Sequence, residues 1–160
     1  MSTADAPLPK APTLDGTPPR ILLVRAPYYR GVIEGMSWGA RRVLAEAAAE
    51  VDELDVAGSF ELPQAIRIAL RGRVRFDGFV ALGCIVRGGT DHYDHICRET
   101  MAGLMAVALQ YGVALGSGVL TVHSLEQAVA RSGQDGFNKG AEAAVACLMQ
   151  IAAARRLGAV

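Results

Sequence analysis

Apolar residues along the chain alternate between short continuous runs and helical spacing. Residues 21–24 form a continuous apolar run, which is typical of a strand covered on both faces. From 32 to 47, apolar residues recur every three or four positions, as on one face of a helix. The alternation repeats and predicts strands at 51–57, 76–86 and 113–122 and helices at 62–70, 96–111 and about 138–155.

Local signals refine this pattern in the second half of the chain. Gly116-Ser117-Gly118 interrupts the fourth predicted strand, and Ser124 with Gln127 has the spacing of a capping box that begins a further helix. No proline follows Pro63, so none breaks these elements. Strands that alternate with helices predict an α/β fold with a doubly wound, four-stranded parallel sheet and helices on both faces.

The beginning of the chain differs in composition from the rest. Residues 1–19 contain five of the seven prolines, among small and polar residues that bury little surface. We therefore expect residues 1–19 to be a flexible N-terminal tail and residues 20–160 to be a single domain.

The loops that follow the predicted strands carry most of the unusual residues. In a doubly wound sheet, ligands bind beyond the carboxyl ends of the strands. The corresponding loops are 28–29, 58–61, 88–92 and 123–124. We expect the functional residues on this edge of the sheet.

The loop at 88–92 has the most specific chemistry. Gly88, Gly89 and Thr90 would offer backbone N–H groups and a hydroxyl to an anion at a helix N-terminus. Histidine is the residue type that most often carries protons in catalysis, so His92 is a candidate proton carrier. The spacing is not that of a nucleoside triphosphate loop, so a single phosphate is the better candidate. An ordinary turn followed by a surface histidine would give the same pattern.

The start of the following helix allows a second interpretation. Thr90 or Asp91 would cap this helix. His92 and His95, with acidic neighbours, could also hold a metal, but a histidine pair without a distant third ligand is weak evidence. We therefore predict no metal site.

Two further sets of residues suggest a ligand. Arg131 and Lys139 flank the loop between the last two predicted helices, either as solvated charges or as a second phosphate-binding arm. Tyr28 and Phe60 lie on loops, and Glu61 follows Phe60. Such a set can stack on a heteroaromatic ring and accept its N–H donors, although loop aromatics also serve as anchors.

Composition argues against several classes of function. The 160 residues are 51% hydrophobic and carry a formal net charge of zero, which argues against nucleic-acid or membrane partners. No apolar run approaches the roughly 18 residues of a membrane span. Cys84, Cys97 and Cys147 are widely spaced, as expected for free thiols in the cytoplasm.

Five sequence blocks resemble the 6,7-dimethyl-8-ribityllumazine synthase family in order and spacing. They are 58–63 (GSFELP), 83–94 (GCIVRGGTDHYD), 118–121 (GVLT), 125–128 (LEQA) and 138–140 (NKG). The resemblance runs from about residue 21 to the last helix. It implies a flavodoxin-like subunit and a transferase of riboflavin biosynthesis, without metal or organic cofactor.

The resemblance also implies a reaction and an assembly. The two small-molecule substrates would be 5-amino-6-(D-ribitylamino)uracil and 3,4-dihydroxy-2-butanone 4-phosphate, which condense with release of phosphate and water. The subunits would form a homopentamer or an assembly of pentamers, with active sites between neighbours and riboflavin synthase as a partner. The sequence leaves five, ten or sixty subunits open.

Site residues follow from the same resemblance. His92 would transfer protons. The pyrimidine would be bound by Tyr28, Ser59, Phe60, Glu61, Cys84, Ile85, Val86 and, from a neighbour, Ser117. The phosphate would be bound by Gly89, Thr90 and Arg131, with Lys139 close by. Ser117 stands where the family often has phenylalanine.

Two other functions fit the same residues. One is a non-catalytic relative that binds lumazine or flavin, or that forms a shell. The other is a different phosphate-handling enzyme with a flavodoxin-like fold. The presence of His92, Arg131 and Lys139 together favours the synthase, because a pure binder needs no proton carrier beside a phosphate site.

Overall fold

The computed structural model describes residues 10–134 and 137–159. Its strands are β1 (Arg20–Arg25), β2 (Glu50–Asp55), β3 (Gly78–Val86) and β4 (Ala114–Val122). Its helices are α1 (Arg30–Glu46), α2 (Leu62–Ala69), α3 (His92–Tyr111), α4 (Leu125–Val129) and α5 (Lys139–Leu157). Short 3-10 turns at Pro27–Tyr29 and Ser59–Glu61 precede α1 and α2.

The four strands form one parallel sheet in the order β2-β1-β3-β4. Helices α1 and α5 pack together on one face of the sheet, and α2 and α3 pack on the other. This arrangement confirms the predicted doubly wound fold with three layers. It is the flavodoxin-like architecture that the resemblance implied.

The buried strand β3 separates two hydrophobic clusters. Val80 and Leu82 point into the cluster beneath α1 and α5, whereas Phe79 and Ala81 point into the cluster beneath α2 and α3. All four are fully buried. Successive side chains of a strand point to opposite faces, so a strand that is covered on both faces is apolar throughout.

Strand β4 continues through Gly116-Ser117-Gly118, so the predicted interruption is wrong. The glycines have a packing role instead. A Cβ at Gly116 would lie 1.9 Å from the carbonyl oxygen of Ala143 in α5. Only glycine permits this approach of helix to sheet, and a close backbone approach is a common reason for glycine inside a strand.

Residues 10–19 lie against the domain without forming a helix or strand. Ala11 and Leu14 pack on the cluster beneath α1 and α5. Arg155 donates from its guanidinium to the carbonyl oxygens of Asp15 (2.6 Å) and Thr17 (2.8 Å). Residues 1–9 of the predicted tail lie outside the described residues, and the division at residue 20 stays a prediction.

Within the ranges 10–134 and 137–159, no helix has the length and apolar character that crossing a membrane would need.

Candidate active site

A cleft of about 600 Å³ opens at the carboxyl ends of β1, β2 and β3. Nine of the residues expected to bind or transform a ligand line it: Tyr28, Ser59, Phe60, Glu61, Cys84, Ile85, Val86, Thr90 and His92. Gly89 is not among its lining residues, but the adjacent Gly88 is. Of the four loops expected at this edge, three contribute to the cleft, whereas His123 and Ser124 after β4 do not.

Two exposed aromatic rings flank the cleft. Tyr28 is 76% exposed and Phe60 is 44% exposed, each on a short 3-10 turn after its strand. Tyr28 meets Tyr29 edge to face with ring centroids 5.1 Å apart. Rings that remain this accessible are available to stack on a flat ligand.

Two polar side chains line the same cleft as these rings. Ser59 is buried against β3, where a Cβ at Gly83 would come within 2.6 Å of its hydroxyl oxygen. Gly83 therefore makes room for Ser59. Glu61 is half-buried, and one of its carboxylate oxygens lies 3.2 Å from the point where a Cβ atom at Gly58 would be. The cleft thus offers a hydroxyl and a carboxylate to the edge of a ring.

The inner wall of the cleft is electrically neutral. Cys84 is 5% exposed, and burial raises the pKa of its thiol to about 11. Burial also raises the pKa of Tyr29, with smaller contributions from Cys84 and Tyr28. Both groups stay protonated at neutral pH, so Cys84 is a wall residue and not a nucleophile there.

The loop between β3 and α3 is open to solvent. Residues 87–92 are exposed, and a Cβ at Gly88 or Gly89 would meet no atom within 4 Å in the described part of the chain. Asp91 occupies the predicted cap position of α3, but among the described residues its side chain makes no capping hydrogen bond. The first N–H groups of a long helix are therefore left without this side-chain partner.

The acidic and histidine side chains at the start of α3 have other partners. Asp94 pairs with Arg87, and Arg98 approaches the Nδ1 atom of His95 at 2.9 Å. In the two described ranges, no group of three or more His, Cys, Asp or Glu residues could hold a metal ion.

Ser117, Arg131 and Lys139 lie elsewhere, in a groove of about 210 Å³ along β4 that also includes residues 118–122. Arg131 donates to the carbonyl oxygen of Gln127 at 2.9 Å, and the ammonium of Lys139 lies 2.6 Å from a carboxylate oxygen of Glu142. Within a single chain, this groove does not join the cleft that contains His92.

Asn138 ties the residues that follow Arg131 to α1 and to the start of α5, a role that sequence reasoning missed. Its Oδ1 accepts from the N–H groups of Gly140 (2.9 Å) and Ala141 (3.0 Å) and so caps α5. Its Nδ2 donates to the carbonyl oxygens of Gly35 in α1, of Ser132 and of Gly133. Asparagine directly before a helical run was the available signal.

Tyr93 and Ile96 also line the cleft and were not expected there, whereas Tyr29 belongs to the expected loop at 28–29. The Tyr93 ring lies near Arg87 and His123: the Arg87 guanidinium carbon is 4.4 Å from its centroid, and the centroid of the His123 ring is 6.2 Å away. Because α3 begins at His92, Tyr93 and Ile96 both fall in the first part of that helix, beside the cleft.

Comparisons with known proteins show the family to which the chain belongs. The family model described as 6,7-dimethyl-8-ribityllumazine synthase matches residues 18–155. The 6,7-dimethyl-8-ribityllumazine synthase of Paramagnetospirillum magneticum is 42% identical over 145 residues, covering 87% of this chain and 97% of that protein. The synthase of Kocuria rhizophila is 43% identical over 151 residues, covering 92% and 95%. The chain therefore belongs to the 6,7-dimethyl-8-ribityllumazine synthase family.

Proposed function

We propose that this protein condenses 5-amino-6-(D-ribitylamino)uracil with 3,4-dihydroxy-2-butanone 4-phosphate at a site built from the cleft of one subunit and the β4 groove of a neighbour. It is a transferase of riboflavin biosynthesis. The main observation in support of the proposal is that one cleft is lined by exposed aromatic rings, polar side chains, residues of the glycine loop and His92.

The aromatic part of the cleft suits the pyrimidine. Tyr28 and Phe60 offer flat faces to the ring, and Glu61 accepts hydrogen bonds from its N–H and hydroxyl groups. Ser59 adds a hydroxyl, and the backbone at Cys84, Ile85 and Val86 lines the inner wall. The protonated thiol of Cys84 adds no charge, which suits a neutral ring.

The loop at 88–91 and His92 suit the phosphate substrate and the proton transfers. The pyrimidine amine attacks the ketone carbon, the resulting carbinolamine loses water to give an imine, and elimination releases phosphate before the second amine closes the ring. His92, which lines the cleft, takes and returns the protons in these steps. The loop and helix N-terminus stabilise the phosphate, and holding both substrates together supplies much of the acceleration.

A neighbouring subunit would complete the phosphate site. Arg131 and Lys139 provide two cations beside Ser117, but on a groove apart from His92. A phosphate dianion held only by loop amides would lack a charged partner, and a guanidinium fork is well matched to its oxygens. Docking the β4 groove of one copy on the cleft of the next supplies that partner, and such a head-to-tail contact repeats into a closed ring when its rotation closes.

The pentamer, any larger assembly and an association with riboflavin synthase are parts of the same proposal, as is the cytoplasm as location. The three cysteines support a reducing compartment, since Cys84, Cys97 and Cys147 are all free thiols. Sedimentation velocity of the purified protein would measure the number of subunits directly.

The reaction is tested by mixing the purified protein with both substrates and recording lumazine absorbance and released phosphate. We expect both signals to rise together, in proportion to the protein. Product formation no faster than the reaction without protein would reject the enzyme and favour the non-catalytic binder. Binding of a sugar phosphate without the uracil substrate would favour a different phosphate-handling enzyme.

A further inference from the structure

The loop between β3 and α3 has few contacts of its own that would keep its shape. Residues 87–92 are exposed, and there is open space beside Gly88 and Gly89. A loop that binds an anion through its N–H groups must nevertheless hold them in one arrangement, because donors that reorganise on binding lose affinity.

Arg87 joins the two ends of this loop. Its backbone N–H donates to the carbonyl oxygen of Val122 at 2.9 Å, which continues the β3–β4 pairing by one residue. Its guanidinium forms an ion pair with Asp94 in the first turn of α3. The same guanidinium lies over the ring of Tyr93, which lines the cleft. One side chain therefore links the end of the strand, the start of the helix and a wall of the cleft.

We propose that Arg87 and Asp94 form a brace that holds residues 88–91 in their anion-binding arrangement, and that both are positioning residues for the phosphate substrate. The proposal rests on the proposed function. In the brace proposal, Arg87 acts through the loop and does not bind phosphate, because its guanidinium already contacts Asp94 and the face of Tyr93.

Asp94→Asn separates this role from direct binding of phosphate by Arg87. If Asp94 completes the brace, its loss loosens the loop and weakens phosphate binding. If Arg87 were itself a phosphate ligand, removal of the competing carboxylate would leave phosphate affinity unchanged or increase it. The two accounts therefore predict opposite results for one substitution.

The test compares Arg87→Gln, Asp94→Asn and the double variant in the full-length assembled protein. We expect KM for the butanone phosphate to rise about three- to tenfold in Arg87→Gln, which loses the ion pair and the ring contact, and about two- to fivefold in Asp94→Asn. KM for the pyrimidine should stay within about twofold in each variant. The double variant should be no worse than Arg87→Gln alone, because its two changes remove one interaction.

Arg42→Gln is the matched control. Arg42 pairs with Glu46 at 2.9 Å and lies 5.8 Å from the Trp38 ring centroid, so it makes the same two kinds of contact on α1. It lines neither the cleft nor the groove, and we expect unchanged KM for both substrates. Binding of inorganic phosphate, measured by calorimetry, should weaken in the Arg87 and Asp94 variants and not in this control.

Three results would contradict this proposal. They are tighter or unchanged phosphate binding in Asp94→Asn, an increase in KM in the double variant equal to the product of the two single increases, or equal increases in KM for both substrates. Each of these results is interpreted by comparison with wild-type protein that forms lumazine in the same assay. A wild-type protein that forms none would reject the proposed function instead, so the two failures are distinguishable.

Discussion

The cleft and the β4 groove are built in different ways. The cleft consists of loops and exposed rings, and its buried thiol is held neutral. The groove carries two cations on a segment that Asn138 ties to α1 and α5 by hydrogen bonds. The aromatic part of the cleft suits a flat, uncharged ring, and the two cations of the groove suit an anion. Within one chain these two features lie on separate surfaces.

This separation follows from the topology. β3 is central and sends its carboxyl end into the cleft, whereas β4 is an edge strand and one side of it is free of strand partners within the described sheet. Arg131 and Lys139 follow β4 in the chain and stay beside it. Edge strands are natural places for another copy to dock.

The largest effect is expected from His92→Ala, which removes the proposed proton carrier of the cleft. We expect kcat to fall about 100-fold, within the range for general acid–base groups, with activity remaining because both substrates are still positioned. Steady-state kinetics and pyrimidine binding should be measured together. His95→Ala, one helical turn further on, is the control and should retain turnover. A His92→Ala protein that no longer binds the pyrimidine would mean that this histidine is structural.

Arg131→Ala tests the groove as a phosphate site. Loss of one charge-assisted hydrogen bond costs about 1.5–3 kcal/mol, so KM for the butanone phosphate should rise about ten- to hundredfold. KM for the pyrimidine should change little. Arg71→Ala removes an exposed arginine outside both the cleft and the groove and should change neither value. Equal losses for the two substrates in Arg131→Ala would contradict the division of roles.

Asn138→Ala should weaken the groove and leave the cleft intact. It removes the cap of α5 and buried hydrogen bonds to neighbouring carbonyls, which together contribute about 2–3 kcal/mol to the free energy of unfolding. Denaturant unfolding at fixed protein concentration measures this loss. Ser124→Ala is the comparison, since Ser124 caps the shorter α4 through one 3.5 Å contact and should cost less. Equal losses would show that Asn138 has no special anchoring role.

The smallest effect concerns the thiols. Burial raises the pKa of Cys84 to about 11 and that of Cys147 to about 12, and it raises the pKa of the half-buried Cys97 as well. Because the thiolate is the reacting species, native protein at pH 8 should react with iodoacetamide first at Cys97. Mass spectrometry would locate the label, with unfolded protein as the reference. Labelling of Cys84 at the rate of the unfolded chain would contradict a closed, neutral inner wall.

The raised pKa of Cys84 also predicts the direction in which the free energy of unfolding changes with pH. The unfolded thiol loses its proton near its ordinary value of 9.0, whereas the folded thiol keeps it to about 11. The folded state therefore binds more protons in this interval, and the free energy of unfolding should fall as pH rises from about 9 to about 11.

The fold was predictable from the sequence because the spacing of apolar residues differs clearly between its strands and its helices. The continuous run at 21–24 and the helical spacing after Val32 correspond to β1 and α1 within a few residues. Gly116 was misread, because a glycine inside a strand can signal either a break or a close approach. Only the position of Ala143 in α5 decides between them. That position is tertiary information.

The candidate site was predictable in part for the same reason. The rule for parallel sheets placed the loops at 28–29, 58–61 and 88–92 together, and all three line the cleft. Nothing in the spacing of Arg131 and Lys139 shows on which side of β4 they lie. Likewise, the capping hydrogen bond expected of Thr90 or Asp91 depends on the orientation of a side chain, which propensity does not fix.

The most direct test of a site shared between neighbours mixes equal amounts of His92→Ala and Arg131→Ala subunits. In a randomly mixed assembly, about one quarter of the sites would combine an intact cleft with an intact groove, and activity should return toward that fraction of wild type. Each variant alone, taken through the same unfolding and reassembly, gives the baseline. If the mixture shows only the average of the two variants, His92 and Arg131 do not act together across a subunit boundary.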